Sequence, residues 1–234
     1  MNSSGLFGKI FRTLMLLVAA AALTACLDSS SGSDSGGSND SSAGGGSVGG
    51  AIDLRDYLVP TSNQVRTFEE YYVSDNQAYL EDTFTESWQV SGGSVIVTSD
   101  YDEDGESCTV ISSSNQLGWN CGDGEVFNFP RFVNPGSMNI DSFGNQFVVF
   151  GPFNNRQINI PGTTISRTDS DVIIMVWRED WDGEWDYGVG YYSTGIGKLA
   201  WFDYWDCPAN LPLEPDYDYA QQCFGETYID ILLP

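Results

Sequence analysis

The chain has 234 residues with 33 acidic and 9 basic side chains and no histidine, which gives a formal charge of −24. Such a field repels phosphate backbones and anionic headgroups, which argues against nucleic-acid partners and against electrostatic attachment to a membrane. The lack of histidine excludes Ser-His-Asp and Cys-His catalysis, and 14% aromatic residues argue against a disordered acidic chain.

The first 25 residues are typical of an export signal. Lys9 and Arg12 form a positive segment, and the apolar run 14–23 after them is too short to span a bilayer. The string Leu23-Thr24-Ala25-Cys26 at the end of this run resembles the lipobox of bacterial lipoproteins. In that family, signal peptidase cuts before the cysteine, whose thiol receives a diacylglyceryl group. The resemblance implies that Cys26 is the first, lipidated residue of the mature protein.

The resemblance also implies a location in the cell envelope. In many such lipoproteins an Asp directly after the cysteine retains the protein in the inner membrane, whereas this chain has Leu27. We therefore expect the outer membrane, and the sequence leaves its periplasmic and surface faces open. The mature chain would keep 7 basic and all 33 acidic residues, a formal charge of −26. The lipid is then expected to be the only attachment to the membrane.

Residues 26–50 follow as the lipidated cysteine and a linker of Ser, Gly and Asp with few apolar side chains. A segment of this composition cannot bury enough surface to offset its ordering entropy, so it is expected to be a flexible tether. The remaining residues, 51–234, fit the size of a single domain.

This domain is predicted to be all-β. Between Leu80 and Val90, apolar residues alternate with polar ones at the period of two that is typical of a half-buried strand. Nine further short runs have β-branched or aromatic character, and Gly, Asn, Asp or Pro separates most of them. They are Ser94–Ser99, Cys108–Ser112, Glu125–Phe129, Gln146–Phe150, Gln157–Ile160, Asp171–Arg178, Tyr187–Thr194, Lys198–Trp205 and Tyr228–Leu232. We therefore expect an antiparallel β-sandwich or barrel of about ten strands.

Four cysteines remain after Cys26, and an exported chain meets an oxidising compartment, so two disulfides are expected. Four thiols allow three pairings, of which proximity along the chain favours Cys108–Cys121 and Cys207–Cys223. Metal binding by these cysteines is the alternative. Their spacing lacks the CxxC pattern of zinc sites, and the chain has no histidine ligand.

An acidic turn is the candidate metal site. Asp100, Asp102 and Asp104 place three carboxylates at alternate positions before Gly105, as in the first half of a calcium loop. The twelfth position of an EF-hand would be Ile111 rather than Glu, so the segment is not an EF-hand. The same residues also suit a plain hairpin turn without a ligand. We expect no cofactor other than a calcium ion at this turn.

An aromatic hairpin is the candidate ligand site. Trp181, Trp185 and Tyr187 surround an Asp-Gly turn, where exposed rings beside carboxylates could stack on sugars. The alternative is that the tip folds back and its rings cover one end of the domain. The Ser-rich tether ahead of a disulfide-bonded β domain resembles carbohydrate-binding modules in construction. The run Tyr191–Leu199 is similar to the Tyr-x-x-Gly-x-Gly-x-Val ending of β-rich bacterial lipoproteins and implies no activity.

These observations predict an envelope lipoprotein that is not an enzyme and acts as a binding module for polysaccharide or for an envelope protein. Three alternatives remain open: a structural component of an envelope assembly, a carrier of small hydrophobic ligands, and a glycoside hydrolase that uses two carboxylates. With 33 acidic residues, the sequence singles out no catalytic pair.

Overall fold

The computed structural model describes residues 50–75, 77–101, 105–122, 126–181, 183–225 and 227–234. The signal segment, Cys26 and almost all of the tether lie outside the described residues. The described residues belong to one compact unit, Gly49–Pro234. No helix within these ranges is both long and apolar enough to cross a membrane.

The described chain is built almost entirely from strands, as predicted. The sixteen strands are β1 (Ile52–Asp53), β2 (Gln64–Ser74), β3 (Gln77–Ser91), β4 (Ser94–Ser99), β5 (Glu106–Ser112), β6 (Gln116–Asn120), β7 (Val126–Pro130), β8 (Phe132–Val133), β9 (Met138–Ile140), β10 (Gln146–Phe153), β11 (Arg156–Asn159), β12 (Ser166–Asp169), β13 (Val172–Trp181), β14 (Glu184–Ser193), β15 (Gly197–Cys207) and β16 (Thr227–Leu232). One short helix, α1 (Leu54–Leu58), and a 3-10 turn (Tyr219–Gln221) complete the described elements.

Twelve of these strands form one antiparallel sheet that is nearly a barrel. Its order is β7-β6-β5-β4-β3-β2-β16-β15-β14-β13-β10-β9, so the chain winds up and down with few crossovers. The first long strand, β2, pairs with the last strand, β16. At the seam between β7 and β9, Ser142 N–H donates to Asn128 O at 2.8 Å, and Asn128 N–H donates to Ser142 Oγ at 3.0 Å. These bonds bring the two sheet edges together.

The two faces of this sheet have different coverings. On β13–β15 the outer face is covered by the β11–β12 hairpin and by the segment that joins β15 to β16. Ile158 of the hairpin and Tyr219 of the joining segment belong to one buried cluster with Val172. Side chains of the opposite face fill the interior, and the large buried apolar ones include Phe68, Phe84, Trp88, Trp119, Phe147, Trp177 and Trp201. Apolar residues on both faces of β13 are therefore buried.

Four charged side chains lie among these interior rings. Arg66 and Lys198 contact Glu86 at 2.5 and 3.2 Å, and Lys198 also contacts Asp230 at 3.2 Å. All four residues are buried. We call Arg66, Glu86, Lys198 and Asp230 the interior ion cluster. Because each charge has a partner of opposite sign, the cluster offsets part of the cost of placing ions in the core.

Both predicted disulfides are confirmed. Cys108 pairs with Cys121, and Cys207 pairs with Cys223. The second disulfide closes the covering segment between β15 and β16. Within that segment, Leu211 N–H donates to Tyr187 Oη at 2.9 Å, which fixes it against the outer face of the sheet.

Candidate functional site

Four aromatic rings form a row across four neighbouring strands. Successive ring centroids are 6.5 Å apart from Tyr79 to Tyr72, 5.6 Å from Tyr72 to Tyr228 and 5.6 Å from Tyr228 to Trp205. The planes of successive rings are inclined by 29°, 46° and 40°. We call Tyr79, Tyr72, Tyr228 and Trp205 the aromatic row.

Strand register explains the row. Tyr72 is the direct partner of both Tyr79 on β3 and Tyr228 on β16, so the three rings share the inner face of the sheet. Tyr228 is paired with Asp203, and Trp205 lies two residues beyond Asp203 on the same face. Gly225 N–H donates to Trp205 O at 3.1 Å and holds the last ring against the end of β15.

The row lies at one end of the sheet. Because neighbouring strands are antiparallel, β2, β9, β13 and β15 end where β3, β10, β14 and β16 begin. We call this end the mouth. Tyr79 is 51% exposed there, whereas Tyr72, Tyr228 and Trp205 are half-buried. The row therefore runs from an exposed ring at Tyr79 to half-buried rings.

Four carboxylates lie at the mouth next to the aromatic row. Glu179 on β13 is paired with Asp186 on β14, so both side chains project from the same face. Asp203 on β15 is paired with Gly188, two residues from Asp186. Asp141 accepts bonds from Phe143 N–H at 2.8 Å and Asn145 N–H at 3.0 Å in the turn between β9 and β10. We call Asp141, Glu179, Asp186 and Asp203 the mouth cluster.

The environment of this cluster disfavours the ionised carboxylate. Burial and the charges of Asp186, Asp141 and Asp203 raise the pKa of Glu179 to about 7. Burial also raises the pKa of Asp141, although the bonds from Phe143 and Asn145 oppose that shift. Glu179 therefore changes charge near neutral pH, as groups at functional sites often do.

Two tryptophans pack beneath the mouth cluster. The rings of Trp177 and Trp201 meet edge to face with centroids 6.5 Å apart. A Cβ added to Gly188 would lie 2.1 Å from Cζ2 of Trp201. The lack of a side chain at this glycine therefore leaves room for the indole against β14. Gly190 has the same relation to Trp201, because an added Cβ there would lie 2.7 Å from Cε3.

The aromatic hairpin expected from the sequence does not form one exposed patch. Tyr187 is fully buried on the outer face, where its ring lies 5.3 Å from that of Tyr219. A buried ring cannot stack on a ligand, so Tyr187 is removed from the candidate site. Trp185 is half-buried on the same outer face, with the Arg178 guanidinium 5.1 Å above its ring. The side chain of Trp181 lies outside what the structure describes.

Of the three carboxylates of the acidic turn, the structure describes that of Asp100. Asp100 accepts bonds from Thr85 N–H at 2.5 Å and Thr85 Oγ1 at 2.7 Å, so its carboxylate fastens β3 to the end of β4. Asp102 and Asp104 lie outside the described residues, and calcium binding there stays a prediction. Among the described residues, one group brings three ligand atoms within 4.8 Å: Glu106, Cys108 and Cys121. Both of its cysteines are in a disulfide, which is not a metal ligand.

Sequence reasoning missed most of the mouth. Tyr72 lies three residues before Asp75 and Tyr79 three residues after Asn76, and this symmetry about the Asp75-Asn76 step could have indicated a cross-strand pair between β2 and β3. The partners from β15 and β16 are more than 120 residues away along the chain. No local spacing signals them.

Comparison with known proteins adds no family assignment: no family model, curated protein or solved structure matches the chain.

Proposed function

We propose that this protein is an envelope lipoprotein, anchored in the outer membrane through Cys26, whose β domain is a non-enzymatic module that binds polysaccharide at its mouth. The aromatic row is the observation that carries the proposal. Tyr79, Tyr72, Tyr228 and Trp205 offer ring faces in a line, and flat rings at a solvent-facing site suit the apolar faces of sugars.

The neighbouring groups support a sugar ligand. Asp203 adjoins Tyr228 in the register, and Asp186 and Glu179 follow it on the same face. Carboxylate oxygens accept hydrogen bonds from hydroxyl groups, while the rings supply apolar contact. A glycan chain lying on the row would thus find acceptors at one end of it.

The interior is less suited to a small hydrophobic ligand, which was one of the alternatives. Buried aromatic rings occupy it together with the interior ion cluster, and Arg66 lies 4.9 Å from the Trp88 ring centroid. An apolar guest placed there would have to displace or desolvate paired charges, which is costly. The mouth is therefore the better binding site.

Binding measurements with row variants test the polysaccharide proposal. We expect Tyr79→Ala to weaken binding of the full chain to a matching immobilised polysaccharide by about twofold to tenfold, because stacking on one ring contributes about 0.5–1.5 kcal/mol. Phe132→Ala is the matched control, since Phe132 is 48% exposed on β8 and lies outside the row. Equal binding by both variants to every polysaccharide that the parent binds would refute the row as the site.

The anchor needs a separate experiment, because the lipobox resemblance alone supports it. If the Cys26 thiol receives the lipid, Cys26→Ser should yield an uncleaved or soluble protein in place of a membrane-bound one. Fractionation and mass spectrometry of the mature protein give the readout. A variant with the parent's mass and membrane fraction would contradict the lipoprotein proposal.

A second candidate function is glycoside hydrolysis. Glu179 and Asp186 are direct cross-strand partners, and a carboxylic acid with a pKa of about 7 suits a general acid in a pair of carboxyl groups. Release of reducing sugar by the parent, together with its loss in Glu179→Gln, would establish an enzyme. Unchanged glycan after prolonged incubation with a polysaccharide that binds would leave the non-enzymatic proposal in place.

A further inference from the structure

The outer face of the sheet is covered along some strands and open along others. On β13–β15 it lies under the β11–β12 hairpin and the segment that joins β15 to β16, and its apolar residues are buried there. From β3 to β6 no described segment covers the outer face, and most side chains that point outward from these strands are exposed. This part of the outer face is therefore accessible to another molecule.

Two rows of outward side chains cross the open part without a charge. One row crosses β2–β5 and consists of Val65, Ser87, Thr98 and Ser107. The other crosses β3–β6 and consists of Gln89, Ile96, Thr109 and Asn120. We call these two rows the neutral wall. All of its side chains are exposed except that of Ser87, which is half-buried. A chain with 33 acidic residues thus keeps carboxylates off this face.

The side chains of the neutral wall are complementary to a copy of themselves. Ser, Thr, Asn and Gln each donate and accept hydrogen bonds, whereas an ionised carboxylate only accepts them. A two-fold interface places one surface against the same surface, so it needs groups that can take both roles. Ile96 and Val65, which are 37% and 70% exposed, add apolar contact. The chemistry of the wall therefore fits a second copy of this chain.

The acidity of the chain favours the same surface for self-association. At physiological salt, exposed charges act over about 8 Å, so the groups that face each other at a contact matter more than the net charge of −24. Two copies that met at their mouths would oppose exposed carboxylates such as those of Asp75 and Glu184. Like charges that face each other weaken an interface. The neutral wall opposes none of its own.

The size of the wall sets the strength of the contact. Its two rows cross five strands that lie about 4.8 Å apart, which is a smaller face than the roughly 800 Å² per partner of a standard stable interface. We therefore expect a weak and reversible pair rather than a permanent one.

We infer that the neutral wall is the contact surface of a reversible homodimer, in which a second copy of this chain lies against it about a two-fold axis near Ile96. Ile96 lies on β4, the middle one of the five strands from β2 to β6. The aromatic row is on the inner face, so the contact leaves the mouths of both copies open. Two mouths in one particle would raise the avidity for a polymer with repeated binding sites.

Sedimentation velocity of the full chain in density-matched detergent tests the inference. We expect a monomer–dimer equilibrium with a dissociation constant of roughly 1–100 µM, in the range of small reversible interfaces. Ile96→Glu places two carboxylates opposite each other near the axis and should weaken the dimer by about tenfold or more. A parent that is still monomeric at about 1 mM, or an Ile96→Glu variant that dimerises like the parent, would overturn the inference.

Two controls separate the wall from net charge. Met138→Glu adds the same charge at a 52% exposed position of β9, outside the wall, and should dimerise like the parent. An equal loss in both variants would show that net charge alone controls association and would refute the wall as the contact. A mixture of Ile96→Glu and Ile96→Lys should recover the dimer, because opposite charges then meet at the axis. Lack of recovery would rule out the two-fold arrangement.

Melting temperatures confirm that the variants fold, and Thr109→Glu replaces Ile96→Glu if that variant unfolds. The experiment contains no glycan, so its result is independent of the proposed polysaccharide site.

Discussion

Arg66 and Glu86 form a buried ion pair across β2 and β3, with Nη2 of the arginine 2.5 Å from Oε2 of the glutamate. The Trp88 indole N–H donates to the same oxygen at 3.1 Å, and Lys198 contacts the other. Burial alone would raise the pKa of Glu86, but the charges of Lys198 and Arg66 outweigh it and lower that pKa. The carboxylate therefore stays ionised in the core and joins β2, β3 and β15.

Loss of this carboxylate should be costly. Glu86→Gln leaves Arg66 without its anionic partner and removes one of the carboxylates that contact Lys198, so we expect a loss of about 3–5 kcal/mol in the free energy of unfolding. Urea denaturation of the parent and the variant measures it. Glu81→Gln, exposed on the same strand, should change stability by no more than about 0.5 kcal/mol. Similar values for the two variants would show that the ion pair contributes little.

Glu70 should make the stability of the fold decrease as pH rises. Burial, the charge of Asp230 and the nearby acids of β3 raise its pKa to about 7, against the bond donated by Tyr101 Oη. Because the folded state holds this proton more tightly than the unfolded chain, stability falls as pH rises from about 4.5 to about 7. Glu70→Gln cannot ionise, so it should be roughly 2–3 kcal/mol more stable than the parent at pH 8 and similar at pH 5.

Thermal or urea unfolding at both pH values checks this difference. Glu214→Gln, at an exposed position of the covering segment, should follow the parent at each pH. A Glu70→Gln variant that is equally destabilised at pH 5 and pH 8 would show that Glu70 acts through its packing rather than through its proton.

The sequence predicts the fold class because most strands keep a simple pattern. β13 and β14 contain long apolar runs that are typical of strands. The disulfides were predictable because they join cysteines that are close along the chain. About ten strands are predicted, and the described residues contain sixteen, several of which are only two to four residues long. The prediction missed β2, since the inward side of this strand carries Arg66 and Glu70 and so lacks the alternation of apolar and polar residues.

The candidate site was less predictable than the fold. Its residues meet through pairing of β2 with β16, which joins segments near opposite ends of the domain. Tyr187 was expected at an exposed tip, but the covering segment after β15 buries it, and no local pattern shows which loop will cover a strand face. Whether such a residue is exposed or buried depends on tertiary packing.

The Cys207–Cys223 disulfide should support both stability and the aromatic row. Its two cysteines are 16 residues apart, so replacing both with serine should cost roughly 3 kcal/mol, with the covering segment loosened at the same time. Trp205 lies two residues before Cys207, and we therefore also expect weaker glycan binding. Replacing Cys108 and Cys121, which are 13 residues apart, should cost a similar amount of stability without the binding loss. Equal binding losses in the two variants would point to general unfolding.

Gly188 should be required for the position of Trp201. Alanine in place of a strand glycine usually stabilises a protein by roughly 0.5–1 kcal/mol, because glycine loses more backbone entropy on folding. Here the new Cβ would lie 2.1 Å from Cζ2 of a 4% exposed indole, which packs edge to face on Trp177. We expect Gly188→Ala to destabilise the fold by about 1–3 kcal/mol, the usual cost of overpacking.

A second substitution separates this clash from a backbone effect. Phenylalanine in place of Trp201 removes the part of the indole that meets the new Cβ, so adding Trp201→Phe to Gly188→Ala should cost less than the sum of the two single changes. Urea denaturation of the four proteins in this double-mutant cycle gives the interaction energy. Gly50→Ala, where an added Cβ meets nothing within 4 Å, is the control for alanine substitution. Additive losses at Gly188 and Trp201 would mean that the glycine is needed for some other reason than contact with this ring.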